Sequence, residues 1–315
     1  MSEPFHRGAR TLRRLALVCV ALLLATISLS AYMRLSQAGI GCAAGPACYG
    51  AQLQELRLGM QAHARHDTGV ELARLLHRVV ASLALVLVVA MVVLARSARP
   101  AIRGSRGLTN ALLALALALA VLGVATPGAR LPAVAMGNLL GGFAMLALCW
   151  RLVGRTRADA AQPPAALGAW GVAALALLVA QLAGGALVSA SYAALSCTDL
   201  ADCQRNAQAS GWDWRVLNPW HEPVFDPSLP PVNPAGALAQ WLHRLGAIVM
   251  APVLALLAAT AWQRGRRQAG AALLALTLLQ VALGLAMVAV GLPLALVLLH
   301  NLVGALLLAT LVRLV

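Results

Sequence analysis

Eight apolar runs dominate this chain, at 15–33, 71–94, 108–125, 131–150, 167–189, 238–262, 270–291 and 294–312. Each is long enough to cross a hydrocarbon core of about 30 Å, which takes roughly 20 residues of helix. Lipid offers no water to the backbone, so such a run must pair its own N–H and C=O groups and folds as a helix. The expected fold is an all-α membrane protein with eight transmembrane helices. With 61% hydrophobic and only 11% charged residues, the chain does not have the make-up of a water-soluble domain.

Every one of the 24 basic residues is an arginine, against 10 acids, and the net charge is +14. Such a charge ordinarily raises nucleic acid as a partner, but the placement of the arginines decides otherwise. They alternate between the ends of the apolar runs. Arg7, Arg10, Arg13 and Arg14 precede the first, Arg96, Arg99, Arg103 and Arg106 follow the second, Arg151, Arg155 and Arg157 follow the fourth, and Arg264, Arg266 and Arg267 follow the sixth, with Arg313 at the end of the last. The opposite loops hold few arginines and most of the acids, among them Glu55, Asp67, Asp199, Asp202, Asp213, Glu222 and Asp226. The positive-inside rule then puts both termini in the cytoplasm and the long loops 34–70 and 190–237 outside. A bacterial-type inner membrane is the expected location, with the bilayer as partner and no nucleic acid. The first run has a second reading as a cleaved signal peptide, since it follows an Arg-rich start and ends near small residues from Ser28 to Ala31. Its length, and its counterpart later in the chain, favour a retained helix.

That counterpart belongs to an internal repeat. Cys42 and Cys48 lie in the first outer loop, and Cys197 and Cys203 repeat their spacing in the later one. His77-Arg78 opens the second helix and His243-Arg244 the sixth, while Leu122-Gly123 returns as Leu283-Gly284 and the segment from Asn138 to Gly141 returns from Asn301 to Gly304. The chain therefore reads as two tandem four-helix bundles, 1–153 and 167–315, joined by an inner linker 154–166. Four helices is an even number, so the halves share one orientation and form a parallel repeat about a pseudo-twofold axis along the membrane normal.

Three of the seven histidines, His77, His243 and His300, lie five or six residues below the outer ends of their helices. At ~1.5 Å per residue they share a depth of about 9 Å. An ionisable residue at membrane depth marks a functional site by default, and two imidazoles at one level can be the axial ligands of a haem iron. The alternative for each is a core histidine bonded to a neighbouring polar group. Arg78 and Arg244 follow their histidines, and with Arg74 they can pair with haem propionates. Snorkelling to the interface is the other reading, above all for Arg74. The four loop cysteines read as one disulfide per half on the side where disulfides persist, with zinc held by four thiols as the alternative. Cys19 and Cys149 fall within apolar runs and read as small core residues, and His63 and His66 as residues of a solvated loop. Glu71 is either a partner for a helix N-terminus or a proton carrier at an outward-facing site.

Eight helices in two halves, His-Arg pairs opening helices 2 and 6, and cysteine pairs in corresponding outer loops together resemble the haem A synthase family, membrane enzymes that oxidise haem O to haem A. The likeness spans nearly the whole chain. It implies a haem b between His243 and His300, and a substrate haem site in the N-terminal half with His77 and Glu71 as catalytic candidates. It also implies disulfides within the Cys42/Cys48 and Cys197/Cys203 pairs. Haem O is then the substrate and haem A the product, with haem O synthase and the assembly of a terminal oxidase as partners and an electron donor the sequence leaves unnamed. Two positions depart from the family pattern. Gly137 stands where the repeat places the counterpart of His300, so the helix-4 histidine is missing, and Arg74 occupies the place of a glutamate three residues before the helix-2 histidine. Glu71 lies six residues before His77, about 120° round the helix from it. A haem b electron-transfer cytochrome and a haem carrier for oxidase assembly are the other two expectations.

Overall fold

The computed structural model describes residues 3–37, 68–98, 102, 104–126, 131–156, 167–223 and 233–315. Cys42, Cys48, His63 and His66 lie outside the described residues, as does most of the inner linker. The apolar runs fold as eight long helices: α1 (Glu3–Gln37), α2 (Thr68–Ser97), α3 (Ser105–Ala125), α4 (Pro132–Arg155), α5 (Gly168–Ala190), α6 (Ala237–Gln263), α7 (Arg267–Ala289) and α8 (Leu294–Leu314). Each carries a stretch apolar and long enough to cross a membrane, and among the described residues there is no strand. The chain is a multi-pass membrane protein. Large side chains such as Val86, Val93, Val121, Leu256 and Leu278 are exposed on the outside of the bundle, where lipid rather than water is their solvent.

Two of the turns share one backbone conformation. The α2–α3 turn passes through Gly104 at φ +75° and the α6–α7 turn through Gly265 at φ +79°, a left-handed conformation that only glycine adopts without strain. These two glycines stand in the same register as Gly123 and Gly284. Contacts repeat too. In residues 3–155 the helices pack α1 on α2, α2 on α3, α3 on α4 and α4 back on α1, and residues 168–314 close the same cycle with α5, α6, α7 and α8. Between the two cycles α4 lies on α8, α4 on α5 and α1 on α8. Exchanging α1–α4 for α5–α8 turns each of these pairs into another of the set.

The packed core lies at the arginine-rich ends of the helices. Leu12, Ala16 and Cys19 of α1 meet Met91 and Ala95 of α2, Leu112 of α3 and Leu146, Cys149 and Leu152 of α4, and the cluster continues into Leu257, Leu273 and Leu311. Cys19 and Cys149 are fully buried there as free thiols. α1 thus supplies much of this core. The opposite ends are built differently. Every residue of α4 from 133 to 142, and every residue of α6 from 241 to 247, is only half-buried, including those on the inward face. The interior is dry and tight at one end and open at the other.

Over the open end lies residues 191–223. Asp199 caps a short helix, Leu200–Ala209, by accepting from the Asp202 N–H at 2.7 Å. Cys197 and Cys203 are joined in a disulfide, which removes both thiols from metal binding. Arg244 of α6 donates to the carbonyls of Thr198 and Cys197 at 3.3 and 3.5 Å. The Pro219 carbonyl accepts from the Ala133 N–H at 2.8 Å, so this loop also reaches the start of α4. Trp214 and Trp220 are exposed at this end, where aromatic rings favour the membrane–water interface.

Two outcomes are expected from the loop. Asp199→Ala should lower the protection of amides in Leu200–Ala209 against hydrogen exchange, a loss of about 1 kcal/mol for a helix cap. The Thr198 N–H, then its hydroxyl and Arg205, hold the Asp202 carboxyl below its ordinary value of 3.8. A depressed carboxylate stabilises the fold above its unfolded pKa, so that contribution should vanish as pH falls below 3.8 and through the lowered value. Protection in this helix that is unaffected by acid in the wild-type protein would contradict the assignment.

Candidate functional site

Helical periodicity aims all three membrane histidines inward. Seven residues turn a helix by two turns less about 20°, and His77 lies seven residues from the buried Val70 and Ala84, His243 seven from Met250, and His300 seven from Leu307. All three are half-buried at the open end of the bundle. The inner stripe of each helix is thus continuous, with apolar packing below and an imidazole above.

His243 sits against α5. A Cβ at Gly185 would come within 2.8 Å of its Cε1, and one at Gly184 within 3.7 Å of its Nδ1. The Gln181 side-chain amide lies 3.1 Å from His243 Nδ1 and donates to the His243 carbonyl at 2.9 Å. His300 sits against α7 in a similar way. Its Nε2 is 3.0 Å from the Gln280 amide nitrogen, and a Cβ at Gly284 would lie 3.3 Å from its Cε1. His243 and His300 are close enough to interact electrostatically. The site between α5, α6, α7 and α8 therefore has two imidazoles, one glutamine behind each, and glycines that make room for the rings.

Two atoms in it have no partner: His300 Nδ1 and Gln280 Oε1 are buried and unbonded. Leaving such groups unpaired costs about 1–3 kcal/mol each, and buried polar atoms of this kind mark where a ligand or water belongs. An imidazole that binds metal through one nitrogen gives its other N–H to an acceptor. Half a turn of the Gln280 amide supplies that acceptor oxygen to His300 Nε2 and frees His300 Nδ1 for a metal, whereas Gln181 is held as a donor by the His243 carbonyl. The donor set therefore fits a metal with two axial imidazoles, and haem iron is such a metal.

The arginines are placed less simply. Arg74 is bound to Glu71 by a 2.6 Å ion pair at the outer end of α2, so the two form one unit. Arg78 is exposed beside His77, and Arg244 is engaged by the loop carbonyls. Arg34, at the outer end of α1, donates to Ser189 of α5 at 3.1 Å and ties the two cycles of helices together. Sequence reasoning passed over Arg34, Gln181 and Gln280. The signal was there for the glutamines, because each interrupts the apolar middle of its helix, where a polar side chain needs a partner.

The chain matches the family model of COX15-CtaA, described as cytochrome oxidase assembly protein, over residues 13–312. The chain belongs to this family. Among its relatives is the Heme A synthase of Shewanella oneidensis, 33% identical over 307 residues that cover 92% of this chain and 91% of that protein. The match to the COX15-CtaA family runs through both cycles of helices and all three membrane histidines, and so includes Gly137 and Arg74 where this chain departs from the expected pattern.

If Gln280 orients His300 for metal, Gln280→Leu should weaken binding of added protohaem by about 10–100-fold, the usual effect of losing an outer hydrogen-bond partner. Gln280→Glu keeps an acceptor and should restore the affinity. Absorbance titration measures both, and an unaltered affinity in the leucine variant would refute the role.

Proposed function

We propose that this chain is an oxidoreductase that converts the methyl group of haem O into the formyl group of haem A. The observation that carries the reading is the pair of inward-facing membrane imidazoles His243 and His300, each met by a glutamine amide, in a chain that a Heme A synthase matches over 92% of its length. In this reading residues 1–153 and 167–315 are two repeats with one haem site each, and residues 154–166 link them inside the cell. The arginine distribution supports a bacterial inner membrane with cytoplasmic termini. A haem O synthase supplies the substrate, and assembly of a terminal oxidase receives the product.

His243 and His300 hold the resident haem b, with Gln181 and Gln280 orienting the rings. When bound, this haem supplies one-electron redox chemistry at the open end of the bundle. His77 positions the substrate haem in the N-terminal half by its iron. Arg78 stands next to it for a propionate, and Arg74 is tethered to Glu71. The overall change adds one oxygen and removes two hydrogens: methyl plus water becomes formyl, with release of four protons and transfer of four electrons to an external electron acceptor. Glu71 is the carboxylate at the outer end of α2 able to accept such protons, and its ion pair with Arg74 fixes its position. The loop over the open end, anchored by Arg244 and by its bond to Ala133, keeps bulk water from the site.

Co-expression with a haem O synthase, followed by haem extraction, tests the proposal. Product haem A is expected. Haem O alone would indicate a carrier and haem B alone an electron-transfer cytochrome, and either result would overturn the enzyme reading. His243→Ala and His300→Ala should each convert the six-coordinate low-spin spectrum to high-spin or empty the site. An unchanged low-spin spectrum in both variants would remove the ligand assignment.

A further inference from the structure

The two halves of the chain meet at a positive charge. Arg34 lies in the last turn of α1, just beyond the apolar run, and is half-buried. Its Nε donates to Ser189 Oγ of α5 at 3.1 Å. In the spacing of the cysteine pairs these are equivalent positions, Arg34 eight residues before Cys42 and Ser189 eight before Cys197, so the contact falls where the repeat expected from the sequence has its axis. Charges at membrane depth are normally paired, yet among the described residues no carboxylate meets Arg34: the ion pairs there are Arg74–Glu71, Arg205–Asp202 and Arg215–Asp213. Arg244 is committed to the loop carbonyls of Thr198 and Cys197. Arg34 gives one N–H to Ser189, and among the described residues both of its terminal amino groups remain for another acceptor. The site they stand beside follows from α5. Ser189 is four residues beyond Gly185, on the same face and about 6 Å further out, and a Cβ at Gly185 would come within 2.8 Å of the His243 ring. Ser189 and the guanidinium bonded to it thus lie one helical turn outward of that imidazole.

We infer that Arg34 holds a propionate carboxylate of the haem bound at His243, so that a residue of the N-terminal half completes the C-terminal site. This rests on the proposal that His243 and His300 hold a haem. The propionates are the charged groups of an otherwise apolar ligand, and a carboxylate that leaves water needs a cation and donors in return. A guanidinium supplies both, as a planar fork that matches the two carboxylate oxygens. With Nε on Ser189, the terminal amino groups of Arg34 form that fork, and the Ser189 hydroxyl fixes its plane before a ligand arrives. Snorkelling alone would send the charged head to water, whereas Arg34 reaches across to α5.

Full-length protein titrated with protohaem and with its dimethyl ester, in which both propionates are neutral, tests this, with binding followed at the low-spin component. The wild-type protein is expected to bind protohaem more than about 10-fold tighter than the ester, as a hydrogen bond to a charged group implies. Arg34→Gln and, as a second neutral variant, Arg34→Met should each remove that preference while the bound haem stays six-coordinate and low-spin. Arg34→Lys should restore part of it. Ser189→Ala breaks the tether but keeps the charge, and should retain the preference. If both neutral variants still favour protohaem, including the case in which they weaken both haems by one factor, Arg34 is a tether between the halves and the inference is overturned. Equal affinity of the wild-type protein for the two haems overturns it as well. Either result leaves the haem site of His243 and His300 standing. If the wild-type protein binds neither haem, the inference and the haem-site reading fall together.

Discussion

An unpaired polar group in hydrocarbon is costly, and much of this architecture follows from that cost. It makes the eight apolar runs helical, and it limits polar side chains to places where another helix can meet them. Gln181 reaches from α5 to the ring and backbone of His243 on α6, and Gln280 reaches from α7 to His300 on α8. Each amide joins neighbouring helices and fixes a histidine ring in the same contact. The glycines beside the rings complete the arrangement, since any larger residue at Gly185 would collide with His243. Among the described residues the exceptions to this economy are three buried unbonded atoms, Arg13 Nε at the arginine-rich end and His300 Nδ1 and Gln280 Oε1 at the candidate site.

The division of the bundle into a dry end and an open end gives that site its setting. At the arginine-bearing ends, leucines, alanines and the two free cysteines pack with almost no exposure. This anchors all eight helices through one continuous cluster. The opposite ends are then free to diverge around side chains that do chemistry, and the loop of residues 191–223 closes over them. Arg244 shows how the roles interlock. Its guanidinium is spent on the Thr198 and Cys197 carbonyls, next to the Cys197–Cys203 disulfide, so the residue after His243 holds the cover of the site.

Much of this was legible in the sequence. Hydropathy gave the eight helices to within a few residues at most ends, although α1 begins far earlier than the apolar run because Arg7 to Arg14 continue the helix beyond the hydrocarbon. The shared depth of His77, His243 and His300 followed from their spacing alone, because rise per residue is fixed in a helix. Partners on other helices were not legible. Nothing in the local pattern around Arg244 says that it is taken by loop carbonyls, since that depends on how the loop lies, whereas the Glu71–Arg74 pair is a contact that spacing on one helix already allows. Gln181 and Gln280 were visible as polar interruptions, but their targets depend on which helices become neighbours.

Gly137 and Leu119 stand at the positions that correspond to His300 and Gln280 in the other cycle of helices. A glutamine at 119 with no imidazole at 137 would leave a buried amide without its partner, at the cost of an unmade hydrogen bond. A histidine at 137 with Leu119 behind it would lack the group that sets its tautomer. Intermediate combinations are less stable than either matched pair, so histidine with glutamine and glycine with leucine are the two self-consistent states. The C-terminal cycle holds the first at His300 and Gln280, and the N-terminal cycle holds the second at Gly137 and Leu119. The same fold carries both states because the contact between the helices, at Gly304 in one case and Gly141 in the other, is made by glycine in each.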